Sequence, residues 1–98
     1  MEALSTAEAV KRRVAEEWDV SVRDLTCPRR DEPFTLARHV AMFLMRRATT
    51  LSLNAVGREF GGRNHGTVLH AVKHVGDRRS VDPAFDAHVA ALEERFRP

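Results

Sequence analysis

The stretch Ser52-Leu53-Asn54-Ala55-Val56-Gly57-Arg58-Glu59-Phe60-Gly61-Gly62-Arg63-Asn64-His65-Gly66-Thr67-Val68 decides the fold class. Ser52 suits a helix N-cap, and Leu53, Val56 and Phe60 follow it at helical spacing. Gly61-Gly62 stops that helix, because glycine adopts the left-handed backbone that helix C-termini often need. Asn64 caps the next helix, with Val68, Leu69, Val72 and Val75 as its inner face and Gly76-Asp77 as its end. Two helices joined by three or four residues containing glycine make a helix-turn-helix pattern, here Ser52–Phe60, turn 61–63 and a second helix from Asn64.

Outward from this pair, Thr6 to Trp18 reads as an amphipathic helix capped by Ser5 or Thr6, with Val10, Val14 and Trp18 at helical spacing. Ser21 and Asp24 are spaced like a capping box for a short helix ending near Leu25. Cys27 to Pro33 is a proline-bounded loop containing Arg29-Arg30. Thr35 opens a long helix that is apolar almost all round from Val40 to Leu44, which predicts a central position. Asp82 caps a last helix with Pro83 at its first position and Phe85, Val89, Leu92 and Phe96 on its buried side. The aromatic residues, Trp18 included, fall on apolar helical faces and are expected in the core. No alternating strand pattern occurs, so the expectation is an all-α fold of about six helices in one domain, residues 1–98.

An apolar fraction of 43% supports a modest core and argues against disorder. No apolar run is long enough to cross a bilayer, and the N-terminus lacks the features of a signal peptide. The single cysteine, Cys27, allows no internal disulfide, so a cytoplasmic protein is expected. The net charge of +2 is unevenly distributed. Residues 33–79 carry eight Lys/Arg against only Glu59 and Asp77, between flanks that are each net −2. A basic centre of this kind fits a polyanionic partner.

In a helix-turn-helix the second helix enters the major groove with its N-terminal residues against base edges. Asn64 offers an amide for an adenine edge, His65 a donor for a base or phosphate, and Thr67 a hydroxyl for a phosphate or a methyl for a thymine. The free N–H groups of the first turn suit a phosphate. His70 and His74 lie four apart on one face, but two imidazoles without an acidic or cysteine partner do not make a metal site. Cys27 has no identifiable base, and Gly61-Gly62-Arg63 lacks the spacing of a nucleotide-phosphate loop. Neither an enzyme, a cofactor nor ATP binding is expected.

The run Leu51 to Ala71, with Phe60-Gly61-Gly62-Arg63-Asn64-His65 at its centre and Thr67-Val68-Leu69-His70-Ala71 at its end, closely resembles the signature of the C-terminal, origin-binding domain of the bacterial replication initiator DnaA. The likeness extends through Ala37-Arg38-His39-Val40-Ala41-Met42, the Arg29-Arg30 loop and Val20 to Leu25, covering roughly residues 7–80. The resemblance implies double-stranded DNA as partner, in the form of a short A·T-rich DnaA box. It places Arg30 in the minor groove and Asn64 and His65 against bases. Arg38, Arg46, Leu53, Asn54, Thr67 and His70 would hold the phosphate backbone, and Arg63 joins the DNA-binding set.

Three departures bear on specificity. Asn64 stands where the family has aspartate, Gly66 where it has threonine, and Asp31-Glu32 follow Arg30 in a loop that is usually more basic. Each altered base contact is worth roughly 1–3 kcal/mol of discrimination, so a relaxed or redirected site preference is expected. The initial methionine and the missing ATPase module fit a free-standing, nucleoid-associated domain, and a fragment of a longer chain stays open beside it. Such a domain would control replication initiation or transcription, with competition against a full-length initiator for its boxes as one route. The alternative is a protein-interaction adaptor with decayed DNA contacts, favoured by Gly66 and Asp31-Glu32.

Overall fold

A computed structural model of the chain describes residues 2–27 and 34–97. These form six helices and no strand: α1 (Glu2–Glu17), α2 (Val22–Thr26), α3 (Phe34–Ala48), α4 (Leu53–Glu59), α5 (His65–Val81) and α6 (Pro83–Arg95). Helix α3 is the hub and packs against all five others. It buries Ala37, Val40, Ala41, Met42, Phe43, Leu44 and Met45, as its nearly all-round apolar character requires. Val10 and Val14 of α1, Leu25 of α2, Val56 of α4, Val68 and Val75 of α5 and Val89 of α6 close on it in one continuous core.

The capping box of α2 forms as expected. Ser21 Oγ accepts from the Asp24 amide at 3.0 Å, and Asp24 Oδ2 accepts from the Ser21 amide at 2.9 Å. Trp18 lies at the edge of the core rather than in it, stacked on His88 at 4.7 Å. His88 Nε2 meets Glu17 Oε1 at 2.7 Å, and together these contacts fasten α1 to α6. Lys11 is only 7% exposed and reaches Glu59 at 3.0 Å and Glu8 at 3.2 Å, which ties α1 to α4. Burial opposes its charge, but the two carboxylates prevail and raise its pKa above the ordinary lysine value.

Two boundaries and one helix face differ from expectation. Helix α1 begins at Glu2, so Ser5 and Thr6 lie inside it rather than capping it. Glu, Ala and Leu are good helix formers and extend the pattern backward. Helix α5 does not stop at Gly76-Asp77 but runs to Val81. Gly76 keeps a negative φ there, and the turn beyond it is held from α6: Arg79 reaches Asp86 at 2.6 Å and Glu93 at 2.8 Å, and Arg78 lies over the Phe85 ring. The helix ends one turn later because a residue before proline is driven out of the helical region. Asp82 is that residue, and it also caps α6 by accepting from the Phe85 amide at 3.1 Å. Finally, Leu69 is not on the inner face. Val68, Ala71 and Val75, spaced three and four apart, fill the core, and Leu69 lies about 100° round the helix from Val68.

Candidate nucleic-acid interface

The turn between α4 and α5 is built on one carbonyl. The Gly57 oxygen accepts from the amides of Phe60, Gly62 and Arg63, at 3.1, 3.1 and 3.0 Å. Gly61 and Gly62 take φ of 82° and 80°, the left-handed region open to glycine. The backbone folds back so closely that a Cβ on Gly57 would sit 1.9 Å from the Arg63 oxygen. A Cβ on Gly61 would sit 2.5 Å from the Thr26 oxygen, so the turn also presses against the end of α2.

This packing presents the start of α5 to solvent. Asn64, His65, Gly66 and Thr67 are all exposed, and Val68 anchors them from below. Asn64 caps the helix with Oδ1, which accepts both the Thr67 amide at 2.9 Å and the Thr67 hydroxyl at 3.1 Å. An adenine edge would need the Asn64 oxygen and nitrogen together, and here the oxygen is engaged in the helix cap. With the oxygen committed to the cap, the side-chain NH2 is left to donate outward to a base acceptor. Thr67 likewise spends its hydroxyl proton on Asn64, leaving an acceptor oxygen and a methyl. His65 makes no polar contact with any described residue. A Cβ on Gly66 would meet only Asn64 Oδ1, at 3.3 Å, so this surface is bare of side chain.

Arg46 is exposed and donates to the Leu51 carbonyl at 3.2 Å, which holds it beside the start of α4. The Leu53 and Asn54 amides open that helix ahead of its first intrahelical bond, from Val56 to Ser52. His70 is exposed on α5 and faces His39 of α3, with ring centroids 6.3 Å apart; His74 lies 5.3 Å from His39. The fold thus brings a third imidazole to the His70–His74 pair. Even so, no three donors among the described residues are placed to hold a metal ion.

His39 is half-buried and its Nδ1 has no hydrogen-bond partner. Burial first, then His74, His70, Arg38 and Arg63, push its pKa down from 6.5 to about 4. Between those values the unfolded chain binds a proton that the folded chain does not. Stability is therefore fully present above pH 6.5 and declines as the pH falls toward about 4. Thermal melts across that window should show a falling Tm for the wild type and a flatter profile for His39→Gln.

Two residues expected to contact DNA are engaged within the fold. Arg38 is only 4% exposed, and its guanidinium donates from Nε to the Leu25 carbonyl at 2.9 Å and from Nη2 to the Cys27 carbonyl at 2.9 Å and that of Asp24 at 3.3 Å. Arg63 Nη2 donates to the same Cys27 oxygen at 2.8 Å. The last carbonyls of a helix lack intrahelical partners, and these two cations satisfy those at the end of α2. They tie the end of α2 to α3 and to the turn between α4 and α5. Arg30, with Asp31 and Glu32, lies outside the described residues.

The sequence reading missed two exposed cations, Arg58 on α4 and Lys73 on α5. Lys73 lies two turns after Gly66, and the helical period alone brings it to the same outer face. The charge surplus of the middle segment is also partly spent on α6. Arg47 meets Glu93 at 3.4 Å, Arg78 meets Asp82 at 3.6 Å, and Arg79 meets Asp86 and Glu93. Of the exposed cations in residues 34–79, Arg46, Arg58 and Lys73 pair with no carboxylate among the described residues, and all three lie on or beside the helix-turn-helix.

Residues 7–75 match the family model described as bacterial dnaA protein helix-turn-helix. The chain is 46% identical to a chromosomal replication initiator protein DnaA from Methylacidiphilum infernorum over 93% of its own length and 20% of that protein. It is 35% identical to the Zymomonas mobilis DnaA over 93% of its length and 19% of that protein. Thus the chain spans about a fifth of the length of these curated relatives. A crystal structure of a DNA replication initiation factor superposes with a TM-score of 0.85 at 28% identity, covering 95% of this chain and 28% of the other.

Proposed function

The chain belongs to the bacterial DnaA helix-turn-helix family, and from that premise we propose that it binds double-stranded DNA in a sequence-dependent way, with α5 in the major groove. The observation that carries this reading is the exposed start of α5: Asn64, His65 and Thr67 lie open to solvent, His65 makes no polar contact with any described residue, and Gly66 after it carries no side chain. Arg46, Arg58, Lys73 and His70, with the opening amides of α4, supply phosphate contacts on both sides. The family resemblance assigns Arg30 to the minor groove. The preferred site is a relative of the DnaA box rather than the box itself, because Asn64 and Gly66 alter two of the base-facing positions. Holding such box-like duplexes, the chain acts in the control of replication initiation or transcription in the cytoplasm, competing with full-length initiators where the two site preferences overlap. Withdrawal of Arg38 and Arg63 into the fold favours, as a second reading, a protein-interaction adaptor.

Salt separates the two readings. Each phosphate neutralised contributes a slope of about −0.9 to log K against log salt, so three or four contacts give about −3 to −4. Fluorescence anisotropy with a labelled duplex pool over a salt series measures this slope. A slope in that range supports DNA binding, and absence of binding to any duplex at low salt overturns it in favour of the adaptor.

A further inference from the structure

Three imidazoles from two helices gather where α3 meets α5. By ring centroid, His70 and His74 of α5 lie 6.1 Å apart, and His39 of α3 lies 6.3 Å from the first and 5.3 Å from the second. Among the described residues none of the three meets a carboxylate, whereas His88 on α6 has Glu17 at 2.7 Å. The charged neighbours that act on His39 are Arg38 on its own helix, His70 and His74 on α5, and Arg63 in the turn between α4 and α5. All four are bases. On α5 itself, Lys73 is exposed beside His74, and Asp77 follows His74 by three residues without pairing with it.

Like charges at this spacing oppose each other, so protons on such a cluster compete unless an anion joins it. His39 makes the floor. Its Nδ1 is buried without a partner, and burial, then its basic neighbours, lowers its pKa to about 4, so this ring stays uncharged at neutral pH. His70 and His74 are exposed on the helix that the DNA-binding reading puts in the major groove. The cluster lacks a negative charge, and the sugar-phosphate backbone bordering that groove carries one. We propose that His70 and His74, seated against the ring of His39, form a proton-linked phosphate site: the pair takes up a proton from solvent as a backbone phosphate of the duplex docks. This assignment rests on the DNA-binding reading above and extends it to regulation, with roles for His39 and His74. Linkage is reciprocal, so a phosphate that favours the proton is itself favoured by the proton by the same factor. Affinity therefore rises as the pH falls through the range in which histidine titrates.

The test measures affinity for a duplex selected by the wild-type chain, at fixed ionic strength, from about pH 8 down to about pH 5.5, where histidine titrates but His39 stays uncharged. Wild-type affinity should rise about tenfold across this window, the effect of one opposite charge brought to the pair. The salt slope should steepen by about 0.9 toward the acid end, because one more phosphate is neutralised there. In the double variant His70→Gln/His74→Gln the rise should shrink to about threefold or less, half the effect on a logarithmic scale. His65→Gln should keep a rise above about threefold, although it binds the selected duplex more weakly. Glutamine is a good helix former and both sites are exposed, so an unchanged Tm is expected for the double variant. Calorimetry in two buffers of different protonation enthalpy counts the protons directly, with fewer taken up by the double variant than by the wild type.

A wild-type rise below about threefold would overturn the assignment while leaving DNA binding intact. A rise above about threefold in the double variant, or undiminished proton uptake by it, would overturn it as well and move the titrating group to His65. Failure of the wild type to bind any duplex at low salt would be the failure of the parent reading, and the assignment would fall with it.

Discussion

Gly57→Ala is expected to destabilise the fold by about 3 kcal/mol, at the upper end of overpacking penalties. At the scale of a domain this size, that lowers Tm by roughly 12–24 °C. The new Cβ has nowhere to go, because it would overlap a backbone oxygen, that of Arg63, at 1.9 Å, and backbone cannot rotate away as a side-chain tip can. Relief requires opening the turn, which breaks the bonds from Phe60, Gly62 and Arg63 to the Gly57 carbonyl. The turn also positions Arg63, whose guanidinium supports the end of α2, so the damage spreads beyond the helix pair. Gly76→Ala is the matched control. A Cβ there meets nothing within 4 Å, and replacing a helical glycine by alanine should raise stability by up to about 1 kcal/mol. Thermal denaturation of the two variants beside the wild type checks both expectations. Similar Tm values for Gly57→Ala and wild type would show that the turn is not built as described.

The helix-turn-helix was legible because its signals are local. Ser52, Gly61-Gly62 and Asn64 act through their own backbone conformations and side-chain caps, and all took the places expected of them. The same holds for the Ser21–Asp24 box and for the Asp82-Pro83 start of α6. What stayed hidden depended on distant partners. Arg38 and Arg63 have the residue type of phosphate ligands, and nothing in their own segments reveals that the carbonyl end of α2 arrives beside them. Gly76-Asp77 looked like a stop because the carboxylates that hold the next turn, Asp86 and Glu93, belong to another helix. Leu69 was misplaced because Val68 and Leu69 are both apolar neighbours, and only packing decides which of the two points inward.

The candidate site divides along the same line. His65 and the exposed face of α5 follow from helical period and capping alone. The restriction on Asn64 does not, since it arises from the two hydrogen bonds its oxygen accepts from Thr67. A donor-only Asn64 favours a base acceptor such as guanine O6 or N7 over the paired donor and acceptor of adenine. The site selected by this chain is accordingly expected to differ from the DnaA box at the position facing Asn64.

The second large effect concerns His65, the first residue of α5 and the side chain best placed to touch a base. Loss of one such contact costs roughly 1–3 kcal/mol, a factor of about 5–150 in affinity. The cost falls only on the correct sequence, because phosphate contacts are indifferent to sequence and His65 has no internal structural role to lose. The most direct test is the affinity of wild type and His65→Ala, at one salt concentration, for a duplex selected by the wild type and for a scrambled duplex of the same composition. The account predicts that His65→Ala binds the selected duplex 5- to 150-fold more weakly and the scrambled duplex with nearly wild-type affinity, so that discrimination collapses. Equal weakening on both duplexes, or no weakening on either, would contradict it.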